Sequence, residues 1–223
     1  MGTLLLRLVG PMQSWGVQSN FTHRDTGLEP SKSGVIGLVC AAMGRGRNEP
    51  IDDLAALRMG VRVDREGLMK YDYHTAQDVL KASGAGTKNT EVSYRYYLAD
   101  AAFLVGLEGN DVGSLADIHQ RLQNPVWFLC LGRKAFVPSE PVWISDGLKP
   151  DQDLETALRH YSRLRDKRSP FDDDRARLMI EDARRGDIAR PDQPISFVKG
   201  HRQFTVRRLY ADFCIPPSAQ EGQ

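Results

Sequence analysis

The chain reads as an α+β domain of order strand, helix, strand, strand, strand, helix, strand, with a protruding β-hairpin and a small C-terminal region of β-sheet. Three observations predict this. Thr3–Val9 (TLLLRLV) is an apolar run stopped by Gly10-Pro11, which fits a buried first strand. Ser33–Met43 (SGVIGLVCAAM) is apolar on nearly every face and rich in small residues, which fits a buried helix. Three strand-like segments then follow before a second, amphipathic helix.

The elements follow in order. After the first strand, Met12–Pro30 is polar, aromatic and glycine-containing, an ordered loop. Ser31 or Ser33 is placed to cap the first helix, and Gly44–Pro50 ends it. Arg58–Asp64 turns Met59, Val61 and Val63 to one side, as a strand does. Leu68–Thr75 is expected to be its hairpin partner. Ala76–Thr90 is polar, with Ser83-Gly84-Ala85-Gly86 at its centre, and is expected to protrude. Tyr97–Leu107 is the next strand. Ser114–Gln123 places Leu115, Ile118 and Leu122 on one helical face. Val126–Leu131 is the last strand, before Gly132-Arg133-Lys134. Apart from the hairpin, this order matches a βαββαβ ferredoxin-like (RRM-like) sandwich over residues 1–137, a fold that fixes no function by itself.

Beyond Pro138 the composition changes. Arg159–Arg190 holds ten Lys or Arg and seven Asp or Glu, most simply a solvated face. Ile195–Ile215 reads as two strands around Gly200. Residues 138–223 are therefore expected to form a small C-terminal subdomain whose tail, from Pro216, frays.

Composition narrows the function. Hydrophobic residues make up 41% and charged residues 26% of 223, which suits a globular domain with a core. The net charge is +1, from 30 basic and 29 acidic residues. Nucleic acid would therefore have to meet a local basic patch rather than a basic protein. Cys40, Cys130 and Cys214 are odd in number and far apart, which opposes a disulfide framework and a zinc knuckle. His23, His119 and His160 show no metal-ligand spacing, and Asp172-Asp173-Asp174 lacks a second carboxylate cluster. No metal or cofactor is expected. The first nine residues are too short for a signal peptide and no run suits a bilayer, so a cytoplasmic location without membrane contact is expected.

Two segments carry candidate chemistry. In Gly10–Gly16 (GPMQSWG), Trp15 can stack on a base and Gln13 can bond a base edge; a turn with a buried Trp is the commoner use of such residues. In Pro30–Leu38 (PSKSGVIGL), the N–H groups near Ser33 and Gly34, with Lys32, suit a phosphate, and simple capping is the competing reading. The P-loop pattern is absent. His201 and Arg202, beside Gly200, could touch RNA, although a solvated turn is the simpler reading.

These two segments, with Asp72-Tyr73-His74-Thr75, Arg95–Ala101 (RYYLADA) and Leu131-Gly132-Arg133-Lys134, resemble the CasD family within the RAMP superfamily. That family is the subunit of type I-E CRISPR Cascade that holds the 5′ end of the guide RNA (crRNA). The resemblance covers roughly the first two thirds of the chain. It implies a ferredoxin-like domain with a projecting thumb, here about Ala76–Thr90, with Lys88 and Arg95 at its base. It further implies binding of the repeat-derived 5′ handle, no catalytic role, and contacts with the backbone CasC subunit and the large CasA subunit. On this basis Gln13, Trp15, Lys32, Ser33, Gly34, His74, Lys88, Arg95, Tyr96, Arg133 and Lys134 are candidate RNA contacts. Type I-C relatives cut RNA with Tyr, His and Lys residues. The enzymatic alternative is therefore a metal-independent endoribonuclease that processes precursor crRNA through Tyr73, His74 and Lys88.

Overall fold

The computed structural model describes residues 1–17, 22–81, 83–164 and 174–218. The first strand, β1 (Gly2–Val9), is buried along almost its whole length. It is followed by two short strands, β2 (Met12–Gln13) and β3 (His23–Arg24). Helix α1 (Lys32–Met43) is capped by Ser31, whose hydroxyl accepts from the Gly34 amide, and it ends at Gly44 in the left-handed conformation, where glycine carries no Cβ penalty. Next come α2 (Asp52–Ala55), β4 (Arg58–Arg65), β5 (Leu68–Leu80), β6 (Thr87–Ala99) and β7 (Ala102–Gly109). Helix α3 (Val112–Gln123) buries Leu115, Ile118 and Leu122. The chain then passes through β8 (Leu148–Lys149), α4 (Leu154–His160), β9 (Ala176–Glu181), β10 (Ile188–Ser196) and β11 (Gln203–Cys214).

The result is a mixed α/β fold whose strands pair antiparallel, except where β3 runs parallel to β6. The larger sheet has the order β10-β11-β9-β4-β7-β1-β8. Both faces of its central strands are covered. Leu4, Leu6 and Leu8 of β1 join the cluster containing Val35, Val39, Leu115 and Ile118 of α1 and α3. Leu5 joins the cluster of Leu154 and Leu158 of α4. Burial on both sides is why β1 is apolar on both of its faces, with Arg7 as the half-buried exception.

Four expectations need correction. Val126–Leu131 is not a strand. The place beside β1 belongs to Leu148–Lys149, and the Val126 and Trp127 amides donate instead to the Ala42 and Ala41 carbonyls at the end of α1. A helix end leaves such carbonyls unpaired, so they compete with a sheet edge for donors. Leu68–Thr75 does not pair with β4. It pairs with β6, and the projecting hairpin is therefore the longer arm Leu68–Ala99, with Leu68 opposite Ala99 and Leu80 opposite Thr87. Tyr97–Leu107 is two strands, not one, broken between Ala99 and Ala102 at Asp100, which has φ of 56°. Finally, residues 138–223 do not build a separate sheet. Strand β9 pairs with β4 and extends the first one. In the charged stretch Arg159–Arg190, residues 165–173 lie outside the described residues, and with them Asp172 and Asp173. The tail beyond residue 218 lies outside as well.

Candidate nucleic-acid interface

The Gly10–Gly16 segment folds as a hub. Gln13 is fully buried. Its amide nitrogen donates to the Leu8 and Ala101 carbonyls at 3.1 and 2.9 Å, and its oxygen accepts from the Trp15 indole N–H at 3.2 Å. Trp15 is also buried and lies against α1. A Cβ added at Gly34 would come within 2.9 Å of its ring. The Ser14 amide donates to the Leu131 carbonyl and its hydroxyl to the Tyr96 carbonyl. Gly132, at φ of 87°, approaches so closely that a Cβ there would sit 1.7 Å from the Ser14 carbonyl oxygen. No other residue fits that position. These seven residues thus join β1, the base of the arm, α1 and the Leu131–Lys134 loop.

The expected roles of Gln13 and Trp15 as base contacts are therefore overturned. All polar atoms of both side chains are used inside the protein, and no base can reach the indole face. Lys32 is corrected as well. It is buried to 1% exposure, its ammonium is 3.0 Å from Glu181 Oε1, and its amide donates to Asp192 at 2.8 Å. Burial lowers the Lys32 pKa, and the neighbouring Glu181 opposes that shift. Arg207 joins both acids, reaching Asp192 at 2.6 Å and Glu181 at 3.4 Å. An anion does sit at the start of α1, as the helix dipole favours, but the protein supplies it from β10.

Around this hub lies an open groove built from two adjoining depressions of about 380 and 440 Å³. Ser33, Gly34, Gly132, Phe197 and Arg202 line both. The inner part adds Arg24 and Arg133. The outer part adds Gly37, Arg45, Arg47, Lys134, Trp127 and Phe128, and no carboxylate. Arg45 is held by Asp53 at 2.5 and 2.8 Å. Arg133 donates to the Arg24 carbonyl at 3.2 Å and lies over the Phe136 ring. Burial lowers the Arg133 pKa first, and the nearby charges of Arg95 and Arg24 lower it further, against Asp25 and Asp72. Like charges held together in this way favour an incoming anion.

The arm presents two chemically different faces, since neighbours along a strand point oppositely. The register sets Asp72 against Arg95, and His74 against Ser93. Arg24 pairs beside Arg95, so this cationic side is the one related to the groove. Tyr71, Tyr73, Tyr94 and Tyr96 fall on the other side. There Tyr94 lies 5.9 Å from Tyr71 and 5.5 Å from Tyr73, and His23 stacks on Tyr94 at 5.6 Å. Lys88 pairs opposite Val79 and is on the tyrosine side, bound to Glu91 at 2.5 Å. The alternative catalytic set is thus not brought together. Tyr73 and His74 point to opposite faces, and Lys88 is five residues along β6 from the partner of His74, about 17 Å at strand rise.

Of the sequence-selected residues, the structure brings Ser33, Gly34, Arg133 and Lys134 into the groove, with Arg95 beside it. His74 shares Arg95's face further along the arm; Tyr96 and Lys88 face away. Arg24, Arg47, Trp127, Phe128, Phe197 and Phe204 were missed. The Trp-Phe pair stands in the sequence within Val126–Leu131, a segment with the pattern of a strand. Arg202, expected to sit in a solvated turn, lines both depressions.

The site is thus an open groove lined by arginines, a lysine and aromatic rings beside a projecting antiparallel arm, in a mixed α/β domain. The family model described as CRISPR-associated protein (Cas_Cas5) matches residues 3–210, and the chain belongs to this Cas5 family. It is 30% identical over 175 residues to the CRISPR system Cascade subunit CasD of Escherichia coli (strain K12), covering 71% of this chain and 76% of that one. Among solved structures, it resembles a Cas protein crystal structure at 42% identity and a TM-score of 0.78, over 97% of this chain and 98% of the other. It also resembles a chain of a CRISPR RNA-guided surveillance complex at 34% identity and a TM-score of 0.82, over 100% and 95%.

Proposed function

We propose that this chain is an RNA-binding structural subunit of a Cascade-type CRISPR surveillance complex, and that its groove holds the repeat-derived 5′ handle of the crRNA. The observation that carries this reading is the convergence of Arg24, Arg95 and Arg133 at the mouth of the groove, where burial and then the charges of Arg95 and Arg24 lower the Arg133 pKa. A chain of phosphates relieves that repulsion and releases counterions. Ser33, Gly34 and Lys134 lie along the same path. The β4-β7-β1-β8 order with α1 and α3 is read as the ferredoxin-like core, and β5 and β6 as its thumb. The arm's tyrosine face is directed to a neighbouring protein subunit, of the backbone CasC kind, and the β9–β11 end to the large CasA-like subunit.

The role is non-catalytic in this reading. Metal-free RNA cleavage needs a base and an acid on either side of one phosphate, and the alternation of Tyr73, His74 and Lys88 across the arm supports a binding role. Incubation with repeat RNA in chelator tests this, and specific cleavage that disappears in His74→Ala would restore the endoribonuclease.

The groove itself is tested by Gly37→Glu. A side chain at Gly37 meets nothing within 4 Å, and replacing a helical glycine stabilises by about 0.5–1 kcal/mol. The variant should melt no lower than the wild type, yet bind repeat RNA tenfold or more weakly, because it fills and charges the groove. Unchanged binding would move the RNA site elsewhere.

A further inference from the structure

Trp127 and Phe128 follow α3 in a segment that contributes little to the core. Trp127 is 49% exposed and Phe128 100% exposed. Exposed single aromatics are common, but these two are adjacent and firmly placed. Their segment donates two backbone hydrogen bonds to the last turn of α1. Val126 packs on Gly44 so closely that a Cβ there would be 2.9 Å from it. The structure therefore anchors the segment by Val126 and the backbone, and turns the two rings outward, against the hydrophobic preference. They line the outer end of the groove with Arg47, Lys134 and Arg202, which have no carboxylate partner among the described residues. An apolar protein partner would have to desolvate those three cations, whereas a nucleic-acid strand supplies phosphates for them and π-faces for the rings.

We propose that Trp127 and Phe128 form a stacking platform for unpaired bases of single-stranded RNA at the outer end of the groove, with Arg47, Lys134 and Arg202 holding the adjoining phosphates. This rests on the reading of the groove as the RNA site and adds to it what grips the bases. Stacking on aromatic side chains is tolerant of sequence and changes affinity roughly five- to hundredfold per base.

The test uses the full chain and a labelled single-stranded RNA copy of the repeat, together with the same backbone carrying abasic positions. The wild type should bind the abasic strand at least tenfold more weakly. W127A/F128A should bind the intact strand about as weakly as the wild type binds the abasic one, with the same salt dependence, since no phosphate contact is lost. W127F should restore most of the affinity, and binding should quench the Trp127 emission. If W127A/F128A binds intact RNA like the wild type while Gly37→Glu does not, the groove stands and the platform is wrong. If the double variant binds RNA normally but drops out of the assembled complex, the pair is a protein contact and the proposal is overturned. If Gly37→Glu also binds normally, the groove reading has failed, and the platform falls with it.

Discussion

The Gly10–Gly16 hub and the rim of the groove differ in how sequence reports function. The hub holds the most distinctive residues of the chain, among them Gln13, Trp15 and, across from them, Lys32, and all three are buried and internally satisfied. The rim is assembled from residues that look ordinary in sequence, Arg24, Arg47, Arg202 and Phe128, drawn from four separate segments. A distinctive motif can thus mark the joint that positions a site rather than the contacts of the site, because a joint has tighter steric demands than a flexible cationic surface has.

The sharpest way to break this contrast is Trp15→Ala. Removing a fully buried indole should cost about 3–5 kcal/mol of stability, measured by denaturant unfolding. It should leave the RNA affinity of the folded fraction near that of the wild type. Loss of affinity with little loss of stability would mean that Trp15 contacts RNA after all. Lys32→Met should come next, at roughly 3 kcal/mol, the low end for a broken buried pair, because Glu181 keeps Arg207 and the Met59 amide. The salt slope of RNA binding should be unchanged, and a smaller slope would return Lys32 to the phosphate path.

Much of the fold was legible because it rests on local patterns. The apolar run of β1, the Ser31 cap and glycine end of α1, the Leu115/Ile118/Leu122 face of α3 and the strand after Gly200 stand where periodicity and turn chemistry placed them, whereas the strand before Gly200 is Ile188–Ser196 and starts seven residues ahead of the expected Ile195. What was not legible depends on partners distant in sequence. Val126–Phe128 has a strand's composition, but its donors are taken by the Ala41 and Ala42 carbonyls about 85 residues earlier, so its rings face solvent. Lys32 looked like a phosphate ligand until β9 and β10 brought Glu181 and Asp192 to it from some 150 residues away. The candidate groove was legible as a region, through the 131–134 loop and the start of α1, but most of its lining was not.

At the rim the balance should reverse. Arg133→Ala and Lys134→Ala should change stability by about 0.5 kcal/mol or less, as surface substitutions usually do. Each should lower the salt slope of RNA binding by somewhat under one, since a single-stranded phosphate contact contributes about 0.7. Arg133 also donates to the Arg24 carbonyl, so its variant is the more informative one. A large fall in melting temperature would class it with the hub, and the distinction between joint and contact would fail at that residue.

The smallest effect on stability is expected at the tip of the arm. From Gln77 to Thr90 the two strands pair only with each other, Leu80 is 75% exposed, and Gly84 and Gly86 take positive φ with open space around them. Replacing residues 78–89 by a two-residue Asn-Gly turn removes little buried apolar area. It also lets the Gln77–Thr90 pair close a hairpin of favoured length. Shortening the loop changes closure entropy by only about 0.6 kcal/mol per halving. The variant should therefore melt within a few degrees of the wild type and keep its groove, so binding of the isolated repeat RNA should be nearly unaffected. Incorporation into the guide-RNA complex should suffer far more, because an arm that adds so little to the fold is better explained by what it touches outside it. Pull-down of the other subunits with the shortened chain reads this directly. Normal assembly would confine the arm's contribution to its base, at Arg95, His74 and the tyrosines, and a collapse of the melting transition would show that the tip supports the fold.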